Sequence, residues 1–183
     1  MNIWLASGSP RRKQLLEWSG YHCDVHPKDI DESLHLNEAP IEYALRLAEE
    51  KSSGCPHDAV VLAADTIVHM QDTVFGKPVH RADAARILET LSGHWHIVTT
   101  SVCIRHGIEK HLFATHTRVR LRELTATEIA NYVSSGEADD KAGAYGIQGR
   151  AGAFVAEVQG SWTNVMGLPL EPVLKTLRGL SST

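Results

Sequence analysis

The spacing of apolar residues changes several times along this chain, and each change marks a new element. Residues 2–6 read as a short strand, Asn-Ile-Trp-Leu-Ala. Ser9 then stands as a helix N-cap with Pro10 at the first helical position, and Leu15, Leu16 and Trp18 supply an apolar face that Gly20 ends. Tyr21 to Val25 suggests a second strand, followed by a polar loop around Asp29 to Asn37. Pro40 opens a helix with Ile41, Ala44, Leu45 and Ala48 on one side, stopped by Ser52-Ser53-Gly54. Ala59 to Ala64 is a continuous apolar run, the pattern of a buried strand, and it continues extended through Thr66 to Met70.

After a turn at Gln71-Asp72, Ala82 to Leu91 has the period of a helix, closed by Ser92-Gly93. Trp95 to Ile104 and Ile108 to Val119 are β-rich, and His106-Gly107 between them predicts a hairpin. Thr125 and Glu128 form a capping-box pair for a helix reaching about Ser135. A glycine-rich stretch, Gly143 to Gly152, precedes one more strand. Pro169 starts a final helix with Val173, Leu174 and Leu177 on its apolar side. Alternation of strand and helix predicts an α/β fold.

The chain has 183 residues, enough for one domain or two small lobes around one core. Hydrophobic residues make up 43% and charged residues 22%, which fits a globular protein and no disordered or fibrous class. The net charge of -4 argues against a strongly basic nucleic-acid surface. No window approaches the roughly 20 apolar residues of a membrane helix. The opening Met-Asn-Ile-Trp-Leu-Ala-Ser carries no basic leader, so the expected compartment is the cytoplasm. Cys23, Cys55 and Cys103 form no CxxC pair and read as free thiols. His94 and His96 flank Trp95, but HxH without a third ligand at metal spacing reads as structural.

Four features carry candidate chemistry. In Ser7-Gly8-Ser9-Pro10-Arg11-Arg12, two arginines occupy the first turn of a predicted helix, the end where the dipole disfavours cations. A bound anion would compensate, drawing on backbone N–H groups, Ser7 and both guanidinium groups; side chains splayed into solvent would explain the same residues. Asp65 ends a buried apolar run at the carboxyl end of a strand, where ligands gather in open α/β sheets. It is a candidate general base or metal ligand, or else a turn aspartate bonding its own backbone. Lys51 at a helix end, Lys77 in the rigid Phe75-Gly76-Lys77-Pro78 and Glu32 in Asp31-Glu32 add charge that suits phosphate or a hard cation. The GxxxxGK[ST] spacing of a Walker loop is absent. Finally, Lys141-Ala142-Gly143-Ala144-Tyr145-Gly146-Ile147-Gln148-Gly149 is glycine-rich enough for close backbone approach to a ligand, or for a flexible loop.

At these residues the sequence resembles the Maf family, known as nucleotide pyrophosphatases. The resemblance covers nearly the whole chain. It rests on Leu5-Ala6-Ser7-Gly8-Ser9-Pro10-Arg11-Arg12, Ala64-Asp65-Thr66-Ile67-Val68, Gly76-Lys77-Pro78, Leu91-Ser92-Gly93 with His96, and Asp140 to Gly149. Gly160-Ser161, Asn164-Val165 and Gly167-Leu168-Pro169 complete it. Phe75 before Gly76 and Trp162 after Ser161 depart from the usual leucine and tyrosine while keeping large apolar groups.

The resemblance implies a single domain over residues 1–183, with a mixed twisted sheet flanked by helices and two lobes around a deep substrate cleft, as in inosine-triphosphatase-like proteins. It implies cleavage of nucleoside triphosphates between the α and β phosphates, and commonly a homodimer. Gly-Ala-Tyr-Gly-Ile-Gln-Gly is similar to the branch acting on dTTP and UTP, as opposed to the branch acting on 7-methyl-GTP. By position, Asp65 is the implied catalytic acid group. Arg11, Thr66 and Gln148 are the implied determinants of base choice, and Ser7, Arg12, Lys51 and Lys77 the implied phosphate contacts. Glu32 and Asp65 would share a divalent cation, magnesium or manganese. A 7-methyl-GTP-type pyrophosphatase of the same family and a nucleotide-binding regulator of cell division stand as the alternative functions. No stable nucleic-acid partner and no membrane association are expected.

Overall fold

The first apolar run forms strand β1 (Asn2–Leu5), one residue shorter than its pattern, because Ala6 leaves the strand while its N–H still reaches Leu62 O at 2.9 Å. The computed structural model describes residues 2–56 and 58–180. Helix α1 (Pro10–Trp18) follows, with Pro10 at its first position as expected. Ser9 is the N-cap residue, but its side chain caps nothing; its own N–H instead donates to Ser7 Oγ at 3.3 Å. The buried side of α1 is also not the one its apolar residues predict. Arg12, Leu15 and Leu16 face inward at i, i+3, i+4, whereas Trp18 is 67% exposed.

The chain returns as β2 (His22–Val25) and, after the polar loop, enters α2 (Pro40–Ser52). Strand β3 (Val60–Met70) is the expected buried run with its extension, and all but Thr66 and Met70 are buried. A short strand absent from the pattern, β4 (Thr73–Phe75), folds back on β3 in antiparallel register, Val68 opposite Phe75. Helix α3 (Arg81–Leu91) leads into the long hairpin β5 (Trp95–His106) and β6 (Glu109–Leu121), turned at Gly107.

Helix α4 (Ala126–Ser134) begins on the expected capping box: Thr125 accepts from Glu128 N, and Glu128 accepts from Thr125 N. The glycine-rich stretch forms two 3-10 turns, Ala142–Ala144 and Arg150–Phe154, before β7 (Val155–Gln159). A one-turn helix, α5 (Trp162–Val165), and the final helix α6 (Leu170–Leu180) complete the described chain.

Among the described residues the strands form one seven-stranded sheet in the order β2-β1-β3-β5-β6-β7, with β4 paired to β3. β1 pairs in parallel with both β2 and β3, whereas β3–β4 and β6–β7 are antiparallel, so the sheet is mixed. The fold is mixed α/β, as expected.

Two compact units divide the chain. The first comprises Met1–Thr66, Thr100–Thr115 and Gly167–Thr183; the second comprises Ile67–Thr99 and His116–Met166. In the first, Ile3, Leu5, Leu15, Leu16, Leu47, Leu62, Ile104 and Leu177 are fully buried. In the second, Leu88, Leu91, Val119 and Leu121 form the core with Tyr132 and Phe154, whose rings meet edge to face with centroids 5.3 Å apart.

Candidate active site

Within the first unit, α1 turns Arg12 inward, and its guanidinium is buried against three fixed acceptors. Nε donates to Gly167 O at 2.9 Å, Nη1 to Ser7 Oγ at 2.7 Å, and Nη2 to Thr66 Oγ1 at 3.0 Å. Gly167 has φ 112, a conformation that favours glycine, so its carbonyl is aimed by a backbone shape other residues resist. Thr66 Oγ1 also lies 2.9 Å from Thr100 Oγ1 on β5. Burial pushes the Arg12 pKa below its ordinary value, and the charge of Asp65 opposes that shift. The cation at the wrong end of the helix dipole is therefore neither splayed into solvent nor left without partners. It ties α1 to β3 and to the start of the C-terminal segment.

Asp65 precedes Thr66 in the middle of β3, not at the carboxyl end of a strand as expected, because the strand runs on to Met70; it receives the ammonium of Lys51, from the last turn of α2, at 2.6 Å. The same Nζ lies 2.6 Å from Glu32 Oε1. Lys51 and Asp65 are nearly enclosed, their side chains 10% and 11% exposed, whereas that of Glu32 is 46% exposed. Asp65 is thus not a turn aspartate bonding its own backbone; one ammonium holds two carboxylates together.

Glu32 reaches this position because its loop is fastened to α2. The Tyr43 hydroxyl donates to Glu32 O at 2.7 Å, and Arg46 Nη2 donates to Ser33 O at 2.9 Å. Arg46 also grips Glu38 through two N–H groups, at 2.6 and 2.9 Å. Burial, with the charges of Asp65 and Glu32, pushes the Tyr43 phenol up to about 12, so it remains a donor.

The second unit carries the glycine-rich loop. Gly143 has φ 71, and a Cβ there would come within 2.8 Å of Val68 Cγ2, so the backbone passes against β3 only because no side chain intervenes. Gly143 N donates to Gly76 O at 3.2 Å, which joins this loop to the segment bearing Lys77. His96 is 1% exposed and shares a 2.7 Å hydrogen bond with the Tyr145 hydroxyl; burial lowers its pKa to about 4. Exposed His94 lies before β5 and contacts Ser92 O, so the two histidines do not share a strand face. Gln148 and Lys77 are both exposed in this unit.

Of the residues singled out from sequence, Ser7, Arg12, Glu32, Lys51, Asp65 and Thr66 come together in the first unit through the contacts above. Arg11 stands beside them on α1, partly buried. Lys77 and Gln148 belong to the second. Among the described residues no group of three His, Cys, Asp or Glu side chains could hold a metal ion. Two carboxylate donors nevertheless suit magnesium or manganese, which are commonly held by one or two carboxylates together with the phosphates of a substrate. The donor set fits a cation shared with a triphosphate better than a cage built by the protein alone.

A family model described as Maf-like protein matches residues 2–180. The chain belongs to the Maf-like protein family. Maf-like relatives include the dTTP/UTP pyrophosphatase of Hahella chejuensis, 47% identical over 91% of this chain and 86% of the relative. The dTTP/UTP pyrophosphatase of Chromobacterium violaceum is 46% identical over 92% and 89%, and that of Aquifex aeolicus is 42% identical over 99% and 96%. Among solved structures, the Ham1 protein of Staphylococcus aureus matches with a TM-score of 0.56 at 12% identity, covering 98% of this chain and 100% of that one. A HAM1 protein from Coxiella burnetii matches with a TM-score of 0.54 at 14% identity, over 98% and 99%. These two place the Maf-like chain in a shared fold.

Sequence reasoning missed four residues of this Maf-like site: Tyr43, Arg46, Thr100 and Gly167. Gly167-Leu168-Pro169 belonged to the family pattern, yet nothing in it marks a carbonyl as the acceptor for Arg12. Tyr43 and Arg46 sit on α2 among apolar neighbours and look like ordinary helix surface; only the path of the preceding loop gives them a task.

Proposed function

We propose that this chain hydrolyses dTTP and UTP to the monophosphate and pyrophosphate, with residues 1–183 acting as one catalytic domain. The observation that carries the reading is the ammonium of Lys51 held 2.6 Å from both Asp65 and Glu32, beside the Arg12 cluster. It occurs in a chain whose relatives at 42–48% identity are named dTTP/UTP pyrophosphatase.

Asp65 accepts the proton of the water that attacks the α phosphorus, and pyrophosphate departs with the α–β bridging oxygen. An ammonium has three N–H donors, so Lys51 can hold both carboxylates and still offer one to a phosphate oxygen. A guanidinium has five, of which Arg12 uses three on the protein; the other two, with Ser7 and Lys77, meet charge building on the leaving group. Asp65 and Glu32 would hold a magnesium or manganese ion, which would supply charge neutralisation at the reacting centre. Gln148 pairs its amide donor and acceptor with the carbonyl and N3–H of uracil or thymine, and Arg11 and Thr66 complete base choice. Cytosine lacks that N3–H, so in the orientation set for uracil or thymine the amide oxygen finds no donor.

No described helix is long and apolar enough to cross a membrane. A cytoplasmic homodimer is part of the same reading, checked by light scattering on the purified chain.

The test is a panel of triphosphates with magnesium or manganese and identification of the phosphorus products. UMP or dTMP with pyrophosphate, and little cleavage of CTP or purines, supports the reading. Orthophosphate with a diphosphate overturns the assigned bond. Tight binding without turnover favours a nucleotide-binding regulator.

A further inference from the structure

Glu32 is on a loop, yet it meets Lys51 at a distance as short as that of Asp65, which is fixed in a buried strand. A loop carboxylate that is 46% exposed has water as an alternative partner, and holding it in one place costs conformational entropy. Something must cover that cost, and the contacts show what does. The Tyr43 hydroxyl donates to the main-chain oxygen of Glu32 itself, 2.7 Å away. One residue later, Ser33 O is held by Arg46 at 2.9 Å. Further along, Glu38 accepts two hydrogen bonds from Arg46 and caps His35 N at 3.1 Å.

Tyr43 and Arg46 are three residues apart on α2, and Lys51 follows in the last turn of the same helix. One rigid element thus presents the ammonium and sets the distance at which the loop can offer its carboxylate.

We propose that Tyr43 is a positioning residue for the pyrophosphatase reaction: through its hydrogen bond to Glu32 O it holds the Glu32 carboxylate against Lys51, where both face the incoming metal–triphosphate. The proposal rests on the functional reading above and adds to it a residue that touches neither substrate nor reacting atoms. Tyr43 Oη bonds the main chain, not the Glu32 carboxylate, so its effect is on where Glu32 stands and not on what it is.

The variant Tyr43→Phe removes the hydroxyl and keeps the ring. Three quantities decide: UTP turnover at varied manganese, the Kd of the non-hydrolysable α,β-methylene-UTP with manganese, and the melting temperature. In Tyr43→Phe the manganese concentration for half-maximal rate and the analogue Kd both rise roughly five- to tenfold, the scale of one lost hydrogen bond. Turnover at saturating manganese falls less than twofold. Glu32→Gln weakens analogue binding further, and adding Tyr43→Phe to it changes nothing more, because the positioned group is already gone.

If Glu32→Gln binds and turns over as the parent does, Glu32 has no role and the functional reading of that residue fails. If Glu32→Gln is impaired but Tyr43→Phe leaves the metal dependence and analogue Kd unmoved, the positioning proposal alone fails. Equal penalties from Tyr43→Phe with and without Glu32→Gln also overturn it, because a purely structural tyrosine would act additively.

Discussion

Arg12 Nη1 stands 2.7 Å from the hydroxyl oxygen of Ser7, five residues back on the far side of the turn that opens α1. With Gly167 O and Thr66 Oγ1 the guanidinium fills three acceptor positions that only a planar, forked donor can reach together. Arg12→Lys keeps the charge but can satisfy one of them well. The expected loss is about 2–3 kcal/mol of stability, from acceptors left unpaired in a buried place, read by urea unfolding. Activity measured below the new melting temperature falls as well, because Ser7 and Thr66 lose their common anchor.

Lys51→Met removes the cation from the nearly enclosed Asp65. Breaking such a pair from one side costs about 3 kcal/mol, most of it from the carboxylate left behind. Asp65→Asn alone is expected to abolish nearly all turnover while the fold survives. The double variant is therefore expected to melt above Lys51→Met, since the nearly enclosed carboxylate is gone and only the half-exposed Glu32 is left without the Lys51 ammonium, while staying inactive. A double variant less stable than Lys51→Met would show that the pair is not coupled.

Base choice is expected to respond to Gln148 more than rate does. In Gln148→Ala the ratio of UTP to CTP cleavage falls by a factor of roughly ten or more, because the donor–acceptor pair that rejects cytosine is gone. Equal losses on both nucleotides would remove Gln148 from recognition.

His96 gives the protein a defined weakness toward acid. Its ring takes up a proton near 6.5 ordinarily and only near about 4 in the fold, because burial disfavours the charged form. As pH falls below 6.5 the unfolded chain binds the proton first. The stability that neutral His96 contributes is thus complete above 6.5 and is lost as pH falls toward 4. The loss reaches about 2 kcal/mol by pH 5 and about 3 kcal/mol in all. Denaturant titrations at pH 7 and pH 5 measure it, and His96→Gln is expected to flatten the difference. Glu38 and Glu128, held at about 2 by their arginine partners, add acid sensitivity only at lower pH.

Gly143→Ala is expected to cost about 2–4 kcal/mol, combining a left-handed backbone with a collision against Val68. Gly107→Ala shares only the backbone penalty, since nothing lies near its missing Cβ. The difference between the two melting temperatures isolates the steric part.

Elements whose reasons are local were legible in the sequence. Pro10 and Pro40 start helices, Thr125 and Glu128 reciprocate, and the run Ala59 to Ala64 is buried as strand from Val60 on. Errors arose where a distant partner decides. Trp18 lost its place on the buried side of α1 to Arg12, because the acceptors Thr66 and Gly167 lie 54 and 155 residues away in sequence. The short β4 escaped notice because three residues carry no period, and its pairing with Val68 to Met70 is what makes it a strand. At the site, residue types pointed to Asp65, Lys51 and Glu32 one at a time, while their union on a single ammonium is a property of folding alone.

That union bears on the proposed role of a divalent cation. The lysine ammonium already occupies the electrostatic middle ground between Asp65 and Glu32, so the two acids do not repel each other apart when divalent ions are scarce. Stripping the protein with a chelator should silence catalysis yet leave its melting temperature nearly unchanged. In the proposed reading, folding would thereby be uncoupled from metal supply, and the cation would come and go with each nucleotide as a passenger of the substrate.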